Sequence, residues 1–192
     1  MNVQIKNIAL FIFLLIGLIS CGSEDDACLT LTCLNDGTCV NGACACPEGY
    51  EGEDCSIEKT PVSMSIVGIN VTKYPTLRPD STSWDSVDMS GPDLFFAFHE
   101  GTGAAYDSNT DFVSSTMNNA TGQALEINAA PPYLVTALSS NWSLDLWDAD
   151  NGTEEYLDGI IFLPLDEVDG LHTTFDVETP TVKATFFVQW DF

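Results

Sequence analysis

Two stretches of this chain concentrate hard oxygen donors. Asp80, Asp85, Asp88 and Asp93 lie between Pro79 and Asp93, and Asp148, Asp150, Glu154, Glu155 and Asp158 lie between Trp147 and Gly159. Calcium takes six to eight oxygens at about 2.3–2.6 Å, supplied by carboxylates and carbonyls on flexible loops. Asp148-Ala149-Asp150 suits that chemistry. In extended backbone, side chains two residues apart point to the same side, so both carboxylates aim together. The second stretch is not an EF-hand, because its Gly and Glu are out of register for one and no helices flank it. Asp85, Asp88, Asp93, Asp148, Asp150, Glu155 and Asp158 are the candidate Ca²⁺ ligands. The alternative is that these acids are solvated loops on an acidic protein.

Other chemistry is thinly represented. His99 and His172 are isolated, with no Cys or His at metal-ligand spacing, and read as strand residues. No G-x-S-x-G, H-E-x-x-H or phosphate-binding loop occurs. No pair of carboxylates stands out as a glycosidase couple. Asp145, within the alternating Trp142-Ser-Leu144-Asp-Leu146, is expected on a solvent-facing strand surface. Trp84 and Met89 pack against the domain or form apolar loop tips.

The chain carries 29 acidic against five basic side chains, a formal net charge of −24. Such a balance excludes tracking of nucleic-acid phosphates, which needs a basic face. It opposes direct attraction to anionic lipid unless cations first neutralise the acids. Self-repulsion on this scale costs stability, and bound divalent cations would relieve it. Disorder is not expected, since 45% of residues are hydrophobic and four Trp and 11 Phe are available for a core.

The elements that must position these acids follow a small cysteine-rich segment. Six of the seven Cys fall between Cys28 and Cys55, and none follows. An even, dense set reads as a disulfide framework, since so short a segment cannot bury enough surface to fold unaided. Six Cys allow 15 pairings, and sequence alone does not choose. The spacing Cys28-x4-Cys33-x5-Cys39-x4-Cys44-x-Cys46-x8-Cys55, with the turn Gly49-Tyr50-Glu51-Gly52, resembles an EGF-like domain. Asn35-Asp36-Gly37 supplies a turn before Cys39, where Gly can take a positive φ. The resemblance implies bridges Cys28–Cys39, Cys33–Cys44 and Cys46–Cys55. It departs from the calcium-binding kind, because the acidic motif before the first Cys is incomplete and the loop from Cys39 to Cys44 is short.

Ahead of that segment, an apolar run from Ile8 to Ile19 ends in Leu18-Ile19-Ser20-Cys21. As a helix it would be roughly 18 Å long, short of the roughly 30 Å hydrocarbon core. It resembles a bacterial lipoprotein signal whose Cys21 is lipid-modified after cleavage. Gly22-Ser23-Glu24-Asp25-Asp26 looks like the export tag of Bacteroidota lipoproteins, which implies an outer-membrane anchor and display on the cell surface. The bland reading of those acids is a solvated spacer.

After the linker 56–61 the pattern is β. Met64, Ile66, Ile69 and Val71 form an apolar segment with a slip at Val67-Gly68, as a bulge gives. Leu94–Phe98, Trp142–Leu146 and Val182–Trp190 are the clearest further strands; Gln123–Ile127, Tyr133–Leu138, Gly159–Leu163 and Leu171–Val177 are weaker. With no helical period, the expectation is an all-β chain: signal 1–20, tether 21–27, disulfide module 28–55, and an eight-stranded antiparallel β-sandwich over 62–192. The sandwich resembles a C2 domain in its two acidic loops. Ser90-Gly-Pro-Asp93-Leu-Phe-Phe looks like the end of that family's first ligand loop. Leu144–Asp150 followed by Gly159–Leu165 looks like its third loop with the flanking strands. The resemblance assigns ligand roles to Asp93, Asp148 and Asp150, with Asp85 or Asp88 upstream. Tyr156 stands where the last acid belongs, so Glu155 or Asp158 would substitute.

The expected function is therefore a non-enzymatic, calcium-dependent surface module that binds a surface protein or a glycan. A structural or assembly subunit of an outer-membrane complex, without calcium dependence, is the second expectation. A glycan-active enzyme is the third.

Overall fold

The computed structural model describes residues 26–85, 87–109, 111–150, 153–168 and 171–192. The signal segment 1–20 and Cys21 lie outside the described residues. Among those described, no helix is long and apolar enough to cross a membrane. The chain divides into two compact units, Met1–Glu58 and Lys59–Phe192.

The first unit is a set of short hairpins held by disulfides. A 3-10 turn spans Asp26–Cys28, and β1 (Thr38–Val40) pairs antiparallel with β2 (Ala43–Ala45). Asn41 and Gly42 both take positive φ in the two-residue connection, the conformation that matches the twist of the flanking strands. β3 (Tyr50–Glu51) pairs with β4 (Ile57–Glu58), so the expected linker begins inside this hairpin. The bridges are Cys28–Cys39, Cys33–Cys44 and Cys46–Cys55, with Cα separations of 5.9, 5.6 and 5.3 Å. In the turn before Cys39, Asn35 and Asp36 adopt the positive φ, not Gly37. Gly37 is needed for space: a Cβ there would lie 2.7 Å from Cys55 Sγ and 3.0 Å from the Leu34 carbonyl oxygen.

The second unit is a sandwich of two four-stranded antiparallel sheets. Its strands are β5 (Ser63–Lys73), β6 (Leu94–Glu100), β7 (Phe112–Val113), β8 (Leu125–Val135), β9 (Trp142–Asp150), β10 (Thr153–Phe162), β11 (Thr174–Glu178) and β12 (Lys183–Asp191). One sheet runs β10-β9-β6-β7 and the other β11-β12-β5-β8. Phe96, Phe98, Leu144 and Leu146 from the first meet Met64, Ile66, Ile69, Val71, Phe186 and Val188 from the second. Phe98 lies 4.9 Å from Trp142 and 5.5 Å from Phe186 between ring centroids. Each such side chain, fully buried, contributes roughly 1.5–3 kcal/mol.

Val67 is the extra residue of a bulge in β5. Ile66 and Gly68 pair with Val188 and Phe187 on one side and with Tyr133 and Asn128 on the other, and the register skips Val67. The two segments expected at Gln123–Ile127 and Tyr133–Leu138 are one strand, β8. Ala129-Ala130-Pro131-Pro132 joins them without ladder pairing, which an edge strand tolerates.

Asp145 corrects the expectation from alternation. The residue is only 2% exposed. It accepts from the Ser143 hydroxyl at 2.6 Å and pairs with His99 Nε2 at 2.8 Å. Phe95, Ala97 and His99 share that outward face of β6 and are buried too. This face of the sheet is buried at these positions, so a period of two here does not separate core from water.

Candidate functional site

The acids gather at the end of the sandwich where β6 begins and β9 ends. Leu94, the first residue of β6, pairs in register with Asp148 of β9. The Asp93 N–H donates to Asp148 Oδ1 at 2.7 Å, and the Ala149 N–H donates to the Asp93 carbonyl at 2.9 Å. A third loop closes the group. Met117 bridges to Leu94, and the Asn119 N–H donates to Asp93 Oδ1 at 2.8 Å. Ala120 N–H reaches the Pro92 carbonyl. Gly91 permits this approach, because a Cβ there would sit 2.0 Å from the Ala120 carbonyl oxygen.

Asp85, Asp148 and Asp150 each offer a carboxylate oxygen, all within 4.8 Å of one another. One ion with oxygens at about 2.3–2.6 Å spans that separation. Asp148 is 0% exposed, and its Oδ2 is buried with no hydrogen-bond partner. Desolvation pushes its pKa up to about 6; the bond from Asp93 N–H opposes this, and the charges of Asp150, Asp85 and Asp93 add to it. Asp150 is raised first by its hydrogen bond to Asp85, then by desolvation and by the Asp85 and Glu155 charges, with Arg78 opposing. A buried carboxylate with an orphaned oxygen among like charges is the arrangement a divalent cation stabilises. The donor set is all oxygen, as calcium requires.

A cavity of about 340 Å³ opens beside the cluster, lined by Asp85, Val87, Asp88, Asp93, Asn119 and Asp150 among others. Asp88 is exposed and accepts the Ser90 N–H at 3.0 Å, so it rims the cavity rather than joining the tight group. Val87 and Met89, at 98% and 84% exposure, stand at the loop surface.

Two candidates are placed differently from expectation. Glu155 is engaged by Arg78, with Nη1–Oε1 at 2.8 Å and Nη2–Oε2 at 2.5 Å. Asp158, after a register shift in β10, pairs with Leu146 and not with a residue of the cluster. Its carboxylate accepts the Gly159 N–H at 2.8 Å and the Thr181 hydroxyl. Trp84, weighed as a loop tip, is buried at 3% exposure beneath the Arg78 guanidinium, 5.1 Å from its ring.

Arg78 is the residue the sequence reading missed. It also donates to the carbonyls of Ser83 and Trp84, at 3.2 and 2.9 Å, and so ties the first acidic loop to β10. Its signal was available: it is the sole arginine of the chain and stands two residues before Asp80. Asn118 and Asn119 were missed as well, since their loop carries no acid beside them.

Residues 27–55 match the EGF-like domain family model. No curated protein sequence matches the chain. Solved structures similar to it contain C2 domains. A portion of Extended-Synaptotagmin 2 that holds its SMP domain and two C2 domains aligns over 68% of this chain and 27% of its own, at 16% identity and TM-score 0.45. A C2 domain aligns over 68% of this chain and 98% of its own, at 10% identity and TM-score 0.40. A Drosophila C2-DSL-EGF1 fragment aligns over 67% of each, at 9% identity and TM-score 0.42. The chain spans about a quarter of the first of these. It carries, in order, an EGF-like domain and an eight-stranded antiparallel β-sandwich.

Proposed function

We propose that this chain is a non-enzymatic, calcium-dependent binding module: a C2-like sandwich that follows an EGF-like domain and meets a protein or glycan outside the cell. The orphaned, fully buried Asp148 Oδ2, grouped with Asp85 and Asp150, is the observation that carries this reading. Ca²⁺ bridges the loop before β6 to the β9 end, cancels their repulsion and leaves coordination positions open for ligand oxygens. Extracellular modules hold calcium at about 10⁻⁴–10⁻³ M, so Asp85, Asp148 and Asp150, with Asp93 beside them, suffice at extracellular concentrations. Lipidation at Cys21 anchors the chain to the outer membrane of a bacterium and displays it on the surface. An anchor of more than one acyl chain holds stably.

Calorimetric titration of the full chain with CaCl₂ tests the site. Saturable heat that disappears in Asp148→Asn/Asp150→Asn supports it. Heat unchanged in that variant, or none in the wild type, removes calcium from the account and favours a structural subunit. Metabolic labelling with a fatty-acid analogue, lost in Cys21→Ser, tests the anchor.

A further inference from the structure

A second cavity of about 770 Å³ adjoins the acidic group. Its walls are the rings of Tyr106 and Trp147, with Ala104, Ser108, Thr153 and Glu154 around them. Ala149 and Asp150 line this cavity and the smaller acidic one alike, so the two spaces share a wall. The rings are fixed. Tyr106 lies 5.3 Å from Trp147 and 5.8 Å from Phe95 between centroids, and Trp147 lies 5.4 Å from Tyr156. The Tyr106 hydroxyl donates to Glu154 Oε2 at 2.6 Å, which holds a carboxylate at the rim.

Among the described residues, no lysine or arginine lines the cavity, and Asp107, Asp150 and Glu154 do. A phosphate or carboxylate ligand would meet repulsion there without a counter-charge. A cationic ligand would compete with the metal for the same acids. What remains is neutral and rich in hydroxyls. Hydroxyls donate to carboxylates, accept from Ser and Thr, and offer the hard oxygens that calcium coordinates. Apolar C–H faces pack on aromatic rings. We infer that the Tyr106–Trp147 cavity is a saccharide-binding site, in which the sugar stacks on the aromatic wall and extends vicinal hydroxyls toward a calcium ion held by Asp85, Asp148 and Asp150. This rests on the calcium reading above and names the ligand class it leaves open.

The test uses the full chain on an array of neutral mono- to tetrasaccharides built from hexoses, deoxyhexoses, pentoses and N-acetylhexosamines, in calcium and in EDTA. CaCl₂ calorimetry runs in parallel. Ala104→Trp and Ser108→Trp, at exposed loop positions, fill the cavity while leaving the acids untouched. The expected result is array binding in calcium that falls at least tenfold in EDTA. Both variants, melting as the wild type does, should lose array binding tenfold and keep calcium binding within twofold. Calcium heat without any array binding overturns the saccharide site and leaves the calcium module standing. So does array binding indifferent to EDTA or to the two variants. Absence of calcium heat overturns the calcium module, and the saccharide site with it.

Discussion

A buried carboxylate with one oxygen bonded and the other orphaned penalises the fold until a cation meets it. Asp148 is in that position. Without metal, Asp148→Asn keeps an acceptor for the Asp93 N–H and removes the buried charge. At neutral pH it should stabilise the EDTA-treated protein by about 1–2 kcal/mol, below the full value of the shift because solvent screens the neighbouring acids. In calcium the order should reverse, with the wild type gaining what the variant cannot. Urea midpoints in the two buffers measure both halves. The pH dependence has a defined sign. Asp148 titrates at about 6 when folded and near 3.9 when unfolded, so the folded state holds the extra proton between those values. Its favourable contribution is complete below about pH 4 and is lost as pH rises through about 6. In EDTA, the stability of the wild type relative to Asp148→Asn should therefore fall between about pH 4 and 6 and level off above. A difference that stays flat across that window contradicts the assignment.

At the scale of elements, the site depends on three loops that do not neighbour one another in sequence. Arg78 holds the first by its bidentate bond to Glu155, partly open to solvent. Arg78→Ala should cost about 1 kcal/mol in stability and weaken calcium binding several-fold, since the loop carrying Asp85 loses its tie to β10. Gly91→Ala is the harsher change, because backbone rather than a flexible side chain stands in the way. It should cost about 2 kcal/mol or more and abolish calcium binding, read by melting and calorimetry. These couplings were only half legible in the sequence. Asp-x-Asp at a strand end marked Asp148 and Asp150 as neighbours, and the structure places Asp93 beside them through its N–H bond to Asp148. Spacing along a chain cannot reveal that a distant Arg78 engages Glu155, or that Asp158 meets Thr181. Asp145 read as solvated because alternation reports two faces and not what covers them. The Val67 bulge was visible because it breaks a run of apolar residues, whereas β8 looked like two strands because Pro131-Pro132 ends most strands that are not at an edge.

On the scale of the whole molecule, the chain divides its means of stability. The first unit relies on three disulfides, each worth about 2–5 kcal/mol in a small module, and the second has no cysteine and relies on its aromatic core. Reduction should remove the first unit's structure while β circular dichroism and calcium binding by residues 59–192 persist. Disulfide spacing and hydrophobic alternation carried this division in the sequence, because both are local signals. The net charge of −24 acts on the molecule as a whole, so a bound cation would relieve self-repulsion as well as form a local bridge. The most direct measurement is the melting temperature of the full chain in EDTA and in about 2 mM CaCl₂, for the wild type and for Asp148→Asn/Asp150→Asn. The wild type should rise by about 3 °C or more, by mass action on the folded state, and the variant should not. An equal rise in both, or no rise in the wild type, would contradict a calcium site at Asp85, Asp148 and Asp150.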